Sequence, residues 1–502
     1  MNEDDEFINS TNASDAGEFP FTSGIYPNMY QAKPWTIRQY SGFGTAKDAN
    51  QNFKNLIAAG NSGISIAFDL PTQMGLDPSS PLAKYEYGKI GVSVNNLSDM
   101  RTLLDGIDLD KISTSMTINA TAGILLLMYE LVATERGFSK DQLSGTIQND
   151  ILKEFITRST HIFPIQHSVR FTSDIFEYCF NELPNWNPIS VSGYHFSEAG
   201  ATVVQEIAFT ISNAIFYLEE AISRGLPVEQ IARRFTFFFS AKTNILEEVA
   251  KFRAARSIWA KTLKRKFSID DAGSLKMRIH AQTAGSQLTS SGLENNFSRV
   301  TIQALAAIFG GVQSLHTNSY NEAISLPTET SSKLAINTQY IVLHETDITK
   351  FVDPFRGSHA IENLTLTIES QVNDLLHKID SNGGVINCIE SNFQRTLIEQ
   401  ESYLLARNVA EGKNKIVGIN SGSVAENDPF STTSNFINNI TPKPAMRLNA
   451  TFDSKDKIFK ELIDAAAGES NIMYPIKSLL VKNVSLSQII DVLKSQWGSY
   501  QN

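Results

Sequence analysis

The amino-acid sequence predicts an α/β fold, a (β/α)8 TIM barrel with an N-terminal arm and a small helical C-terminal extension. Seven short β-type runs alternate with longer helical patterns between residues 64 and 346, and this alternation is typical of βα units in a parallel sheet. The chain of 502 residues also has a length that suits one large barrel with an appendage. An open doubly wound sheet is the alternative arrangement of the same units.

Each predicted strand is a short run of apolar, aromatic and small hydroxyl residues that a helical pattern follows. A weaker eighth run covers 348–354, whereas the aromatic segment 25–50 has no clear period and is predicted to be irregular but ordered. The seven runs are 64–69, 113–119, 145–150, 189–195, 234–240, 276–282 and 312–318.

Three parts of the chain follow from these patterns. Residues 1–45 are predicted to form an N-terminal tail and arm, and residues 46–420 the barrel. Residues 421–502 are predicted to be a Ser-, Asn- and Pro-rich linker followed by short helices. We expect the functional site in the barrel, because active sites of such barrels lie at the carboxyl ends of the strands.

Composition and charge exclude several classes of protein. Hydrophobic residues make up 42% and charged residues 19% of the chain, which is the composition of a folded protein. The net charge of −10 argues against a general nucleic-acid or membrane surface. Cys179 and Cys388 lie too far apart in sequence for a cysteine metal motif. The acidic N-terminus lacks the features of a secretion signal, so a cytoplasmic location is expected.

Polar residues occur at the ends of several predicted strands, where a parallel barrel would bring them to one face. Histidines after three separate runs favour a functional interpretation, whereas Asp69 or Asn119 alone is better explained as a helix cap or a packing residue. The polar residues at these ends are Asp69, Asn119, Gln148, His195, His280, Gln282, His316 and Asn318.

Small hydroxyl residues recur inside the predicted strands, where barrels usually carry Val, Ile and Leu. Some of them must point inward, because side chains alternate across a strand. A ligand could therefore thread the barrel, although the same hydroxyls could instead face the helices. These residues are Ser65, Ser115, Thr117, Thr146, Ser190, Ser192 and Thr236.

Arg158 is the most informative charged residue, because it lies within the apolar helical segment EFITRST. A buried arginine is either paired with a protein carboxylate or available as a bidentate partner for a carboxylate of the substrate. Arg38, Arg234 and Arg278 flank strand segments and could bind phosphate or remain solvated. No Walker A sequence occurs, and no metal site is predicted, since three scattered histidines without a His-x-x-x-His pair are a weak metal signal. The remaining alternative is a metal-dependent barrel hydrolase that uses His195, His280 and His316.

Several longer motifs resemble the methylmalonyl-CoA mutase family, specifically its large catalytic subunit. The resemblance extends from about residue 24 to residue 420 and implies a barrel that encloses the pantetheine of coenzyme A, with adenosylcobalamin (coenzyme B12) above it. The motifs are PWTIRQYSGFGTAKDAN, FDLPTQMG, GTIQNDILKEF, SGYHFSEAG, AQTAG and QSLHTNS.

The resemblance also implies roles for individual residues. Tyr40 would contact the substrate and help displace the adenosyl group, Arg158 would pair with the acyl carboxylate, and His195 would hydrogen-bond the thioester carbonyl. Asn318 and Glu322 would face the adenosyl ribose. Tyr194, Gln148 and Gln282 would line the same pocket. The implied CoA and substrate contacts are Tyr26, Met29, Lys33, Thr36, Arg38, Ser65, Ser115, Thr117, Thr146, Arg234, Thr236, Arg278 and His280.

The implied reaction is the radical rearrangement of (R)-methylmalonyl-CoA to and from succinyl-CoA. Family members that act on uncharged acyl groups have Gln in place of Arg158 and Phe or Ile in place of Tyr40, and this chain keeps both residues. Lys33, Thr236 and Leu76 depart from the residues common in the family. Those departures leave ethylmalonyl-CoA or another substituted malonyl-CoA open, and a mutase that acts on isobutyryl- or 2-hydroxyisobutyryl-CoA is a further alternative.

The motif Asp-x-His-x-x-Gly, through which this family ligates cobalt, does not occur in the sequence. The resemblance therefore implies a hetero-oligomer in which a separate small subunit supplies the B12-binding domain and the cobalt ligand. A non-catalytic scaffold subunit is a further alternative, although the Tyr, Arg and His of the family motifs are all present.

Overall fold

The computed structural model describes residues 15–58, 60–61, 63–422 and 457–500. The first residues of the predicted N-terminal tail and most of the predicted linker lie outside these ranges. The described residues divide into two units. The first unit comprises 15–37, 192–216 and 228–422, and the second comprises 38–191, 217–227 and 457–500.

The described residues form two sheets of five parallel strands, with the orders β1-β10-β9-β8-β7 and β2-β3-β4-β5-β6. The strands are β1 Thr36–Ile37, β2 Tyr40–Ser41, β3 Gly63–Ala67, β4 Ser113–Thr117, β5 Gly145–Ile147, β6 Trp186–Asn187, β7 Ile189–Ser192, β8 Phe235–Ala241, β9 Arg278–Thr283 and β10 Ser314–His316.

Helices follow the strands along the chain, as βα units require. They are α1 Met29–Ala32, α2 Ala46–Ala58, α3 Leu70–Gln73, α4 Leu97–Leu104, α5 Ala122–Glu135, α6 Ile151–Lys153, α7 Ile165–Glu182, α8 Tyr194–Glu198, α9 Val203–Ser223, α10 Val228–Ala232, α11 Ile245–Phe267, α12 Ala272–Leu275, α13 Asn295–Phe309, α14 Glu329–His344, α15 His359–Ser381, α16 Gly384–Glu390, α17 Phe393–Ala410, α18 Lys460–Ala467, α19 Met473–Val481 and α20 Leu486–Trp497.

The seven predicted strand runs are confirmed as β3, β4, β5, β7, β8, β9 and β10, but the predicted eighth run is wrong. Within 348–354 the structure has a 3-10 turn at Ile348–Lys350 instead of a strand. The strands that the sequence did not predict are β1 and β2, in the stretch predicted to be irregular, and β6. Each has only two residues, and such short strands leave no alternation that a sequence pattern could show.

The C-terminal helices belong to the second unit and pack against its core. Arg170 in α7 donates to the carbonyl oxygens of Ala465 and Ala466 at the end of α18, at 2.6 and 2.9 Å. Trp497 in α20 is buried and donates its indole N–H to Ala466 O at 3.0 Å. The predicted helical extension is thus an integral part of this unit, while the predicted domain boundaries at 45 and 420 stay a prediction.

None of the helices formed by the described residues is long and apolar enough to cross a membrane.

Candidate active site

One row of polar side chains crosses the sheet of the second unit. Residues that are in register across parallel strands point to the same face of the sheet. On β4 the hydroxyl residues Ser115 and Thr117 keep part of their surface exposed, whereas Thr114 and Met116 are buried on the opposite face. Bulky aliphatic side chains therefore do not fill the hydroxyl face of this strand. The row consists of Tyr40, Ser65, Ser115 and Thr146.

Arg38 lies between β1 and β2 and contacts the first residues of the neighbouring strands. Its guanidinium donates to Ile64 O at 3.1 Å and to Ser113 Oγ at 2.5 Å. No carboxylate lies within ion-pair distance of Arg38 among the residues of the described ranges, and burial lowers its pKa to about 10. A buried guanidinium without a carboxylate partner is a suitable site for an anionic group of a ligand.

Arg158 ends a π-helical turn, Glu154–Arg158, that continues directly from α6. The turn closes with Ser159 in the left-handed region, at φ +58°, and π-turns inside helices occur frequently at functional sites. Arg158 Nη2 donates to Gln73 Oε1 at 3.4 Å, and Arg158 Nη1 lies 3.9 Å from Glu154 Oε1. With 30% of the side chain exposed, most of its five N–H donors remain available to a ligand.

Gln148 follows β5 and belongs to a buried polar network behind Arg158. Its Oε1 accepts hydrogen bonds from Asn119 Nδ2 at 3.0 Å and from Lys153 Nζ. Asn119 Nδ2 also donates to Glu154 Oε1 at 2.6 Å, and Lys153 Nζ lies 3.0 Å from the same oxygen. Two donors on Gln148 Oε1 fix the orientation of the amide, so its Nε2 is the end that is left for a ligand.

A second set of polar rows crosses the sheet of the first unit. On β9 Arg278 and His280 are half-buried, whereas Ile279 and Ala281 are buried on the other face. His280 Nδ1 is 2.7 Å from Ser314 Oγ. In one row, Thr236 on β8 is in register with Arg278 on β9. The other row runs from β1 through β10 and β9 to β8 and consists of Thr36, Ser314, His280 and Phe238.

His195 is held at the start of α8 by a hydroxyl group and by aromatic contacts. Ser192 Oγ is 2.8 Å from His195 Nδ1, and Tyr194 stacks on Phe238 with ring centroids 4.7 Å apart. Gly193 allows the chain to approach α9 closely, because a Cβ there would lie 2.6 Å from Thr210 Oγ1. The contact at Nδ1 fixes the orientation of the His195 ring.

A cluster of amide and carboxylate side chains surrounds Gly285 in the first unit. Gln282 Nε2 donates to Asn318 Oδ1 at 2.9 Å, and Asn318 Nδ2 donates to Thr283 O at 2.9 Å. A Cβ at Gly285 would lie 3.3 Å from Asn318 Nδ2 and from Glu198 Oε2. Asn318 is buried and has protein partners at both ends of its amide, so in this structure it orients Gln282.

Glu322 and Glu198 are the acidic members of this cluster. Desolvation of the carboxyl group, together with the Glu198 charge, raises the pKa of Glu322 to about 7, although the residue as a whole is exposed. Burial also raises the pKa of Glu198, which accepts hydrogen bonds from Ser286 N and Oγ at 2.8 and 3.0 Å. Gly285 has no side chain, and the carboxyl and amide groups around it can hydrogen-bond a ligand that carries hydroxyl groups.

The remaining predicted contacts lie in the first unit and are more scattered. The Lys276 ammonium lies 5.1 Å from the ring centroid of Tyr26, which is exposed. Met29 is buried, Lys33 is exposed and Arg234 is half-buried. Their contact with a ligand stays a prediction, as it does for the other residues of the predicted site.

Sequence reasoning missed several partners of the predicted residues. Gln73 and Ser314 contact Arg158 and His280 respectively, and the Glu198 charge acts on Glu322. Lys153 and Glu154 were detectable, because two adjacent charged residues interrupt the otherwise apolar segment ILKEF. Within the described ranges, no three His, Cys, Asp or Glu side chains lie close enough to hold a metal ion. The structure therefore gives no support to the three-histidine alternative.

The fold and the site together define a class, an α/β enzyme of parallel βα units with polar, partly exposed strand faces and a candidate carboxylate-binding arginine. The family model for methylmalonyl-CoA mutase matches residues 2–499. The chain belongs to the methylmalonyl-CoA mutase family, whose fold is the TIM barrel, and the predicted fold class is confirmed on that basis. It is therefore an isomerase of the acyl-CoA mutase type, in a family that depends on adenosylcobalamin.

Over the aligned residues, the chain is about two fifths identical to several named relatives. It is 40% identical to the 2-hydroxyisobutanoyl-CoA mutase large subunit of Aquincola tertiaricarbonis over 491 residues, 97% of this chain and 87% of that protein. It is 40% identical to the methylmalonyl-CoA mutase of Escherichia coli over 96% of the chain and 68% of that protein. It is 42% identical to the probable mitochondrial methylmalonyl-CoA mutase of Caenorhabditis elegans over 91% of the chain and 62% of that protein.

Proposed function

We propose that the chain is the catalytic subunit of an adenosylcobalamin-dependent mutase that interconverts (R)-methylmalonyl-CoA and succinyl-CoA. The single observation that carries the choice of a carboxylated substrate is Arg158, a half-exposed guanidinium with one long hydrogen bond and one long ion pair. A neutral acyl group would leave this charge with only these two long contacts in a partly desolvated place, which is unfavourable. A substrate carboxylate would satisfy it with two charge-assisted hydrogen bonds.

His195 is proposed to donate from Nε2 to the carbonyl oxygen of the thioester. When the Ser192 hydroxyl donates to Nδ1, the imidazole carries its proton on Nε2. A donor at the carbonyl oxygen stabilises the charge that shifts onto it while the thioester group migrates between neighbouring carbons. Tyr40, Tyr194 and Gln148 are proposed to contact the acyl group and to exclude water from it.

The coenzyme A portion is proposed to lie along the hydroxyl and arginine side chains of the strands. Small hydroxyls leave space for the pantetheine and offer it hydrogen bonds, while Arg38, Arg234 and Arg278 provide positive charge for phosphate groups. Lys33 would contribute a point charge rather than a bidentate contact.

The cofactor is proposed to contact the cluster around Gly285. Glu322 and Glu198 would bind ribose hydroxyls there, with Gln282 oriented by Asn318. When bound, adenosylcobalamin supplies a carbon radical that removes a hydrogen atom from the substrate. The cobalt ligand and the B12-binding domain are proposed to come from a separate small subunit, consistent with the term "large subunit" in the name of the Aquincola relative. A cytoplasmic hetero-oligomer without nucleic-acid or membrane partners stays a prediction.

The second candidate substrate is 2-hydroxyisobutyryl-CoA. It is favoured by the match to the Aquincola large subunit, of which the chain covers 87%. Arg158 argues against it, because that acyl group carries no carboxylate.

The test is a panel of CoA esters assayed with the chain, its B12-binding partner and adenosylcobalamin. The panel contains methylmalonyl-, ethylmalonyl-, isobutyryl- and 2-hydroxyisobutyryl-CoA. We expect methylmalonyl-CoA to have the highest kcat/KM. Preference for a neutral ester would refute the proposed substrate, and absence of turnover with every ester would favour a scaffold subunit.

A further inference from the structure

The carboxylate of Glu154 lies between two cations, and both are on the same short stretch of chain. Lys153 Nζ is 3.0 Å from Glu154 Oε1, and Arg158 Nη1 is 3.9 Å from the same oxygen. The side chains of Lys153 and Glu154 are completely buried, whereas Arg158 is 30% exposed. The buried cation is therefore the closer partner, and the half-exposed cation is the more distant one.

Loss of the lysine charge would change this balance. A buried carboxylate requires a counter-charge, and Arg158 lies four residues further along the turn, at a spacing that brings side chains together. Without Lys153, Glu154 would draw the Arg158 guanidinium into a direct ion pair. That ion pair would compete with any carboxylate that approaches Arg158 from outside.

We propose that Lys153 is a positioning residue that keeps Arg158 available for the substrate carboxylate by neutralising Glu154. This inference rests on the proposed function, because it assigns the carboxylate of the acyl group to Arg158. Selectivity for an acidic acyl group then depends on three side chains, of which only Arg158 reaches the ligand.

Other groups around Lys153 are consistent with this role. Burial lowers the pKa of Lys153, and the Arg158 charge acts in the same direction, while the Glu154 and Asp150 charges oppose both. Lys153 Nζ also donates to Gln148 Oε1. That contact orients the Gln148 amide whether or not the acyl group is charged. An effect through Gln148 would therefore alter the binding of all esters alike, whereas an effect through Arg158 would alter only carboxylated ones.

The experiment measures the dissociation constants of methylmalonyl-CoA and isobutyryl-CoA by calorimetry on the full chain with its partner subunit. The variants are Lys153→Met, Glu154→Gln and the double variant. Lys153→Met should weaken methylmalonyl-CoA binding about tenfold and change isobutyryl-CoA binding less than about twofold. The double variant should recover wild-type affinity to within about threefold, because both buried charges are absent.

Lys140→Met is the matched control in the same unit. Lys140 forms ion pairs with Glu130 and Glu182 and is not part of the predicted site. We expect the Lys140→Met variant to bind methylmalonyl-CoA and isobutyryl-CoA with the affinities of the wild type. If Lys153→Met does not fold, the Glu154→Gln variant tests the inference by itself. It should bind methylmalonyl-CoA at least as tightly as the wild type.

Equal weakening of both esters, a double variant as weak as Lys153→Met, or a weaker Glu154→Gln would overturn the inference. The proposed function fails separately. It fails if the wild type does not prefer methylmalonyl-CoA, or if Arg158→Gln leaves its binding unchanged.

Discussion

Replacement of Arg158 by Gln is the most direct test of substrate choice. Glutamine keeps polarity and two N–H donors but removes the positive charge and the planar five-donor group. The fold should tolerate the change, because Glu154 retains Lys153 at 3.0 Å. We expect the midpoint of thermal unfolding to shift by no more than about 2 °C.

The magnitude follows from the environment of the guanidinium. Two unit charges 4 Å apart near a protein surface interact with about 4 kcal/mol, and the 30% exposure of Arg158 reduces that value through solvent screening. A neutral hydrogen bond from Gln would restore about 1 kcal/mol. A net loss of about 2–3 kcal/mol corresponds to a decrease of about 30- to 150-fold in kcat/KM for methylmalonyl-CoA.

The assay compares kcat/KM for methylmalonyl-CoA and isobutyryl-CoA in the reconstituted complex. Arg101→Gln is the control, because Arg101 forms an exposed ion pair with Glu135 in the same unit and is outside the predicted site. A decrease of less than about fivefold for methylmalonyl-CoA, or an equal decrease for both esters, would refute the assignment of the carboxylate to Arg158.

Three further predictions concern the first unit. Ser192→Ala should lower kcat about tenfold with a smaller change in KM, since His195 loses the hydrogen bond at Nδ1; steady-state kinetics check this, and an unchanged kcat would contradict it. Gly193→Ala should destabilise the fold by about 1–3 kcal/mol, because its Cβ would lie 2.6 Å from Thr210 Oγ1; an unaltered denaturation midpoint would argue against such close packing. For Glu322, a folded-state pKa raised from 4.5 to about 7 means that the wild type loses stability relative to Glu322→Gln as pH rises through that interval. Thermal unfolding between about pH 5 and pH 8 measures this difference, and parallel profiles would disprove it.

The sequence alone determined seven of the strands and the hydroxyl character of one face of β4. Hydroxyl residues at every second position of β4, Ser113, Ser115 and Thr117, are visible in the sequence and share one half-exposed face in the structure. That inference succeeds because alternation across a strand is a local property of the extended backbone. Arg158 was also identified from the sequence, as a charge within an apolar helical segment.

Only the tertiary structure decided which groups those residues meet. β1 and β2 are strands because β10 and β3 provide their hydrogen-bonding partners. Without such partners, a segment of two residues has no preference of its own for the strand conformation. The availability of Arg158 depends on Gln73, which is 85 positions away in sequence, and on the π-turn that sets its distance from Glu154. Burial and electrostatic balance arise from contacts between segments that are distant along the chain, so a local pattern of residues does not contain them.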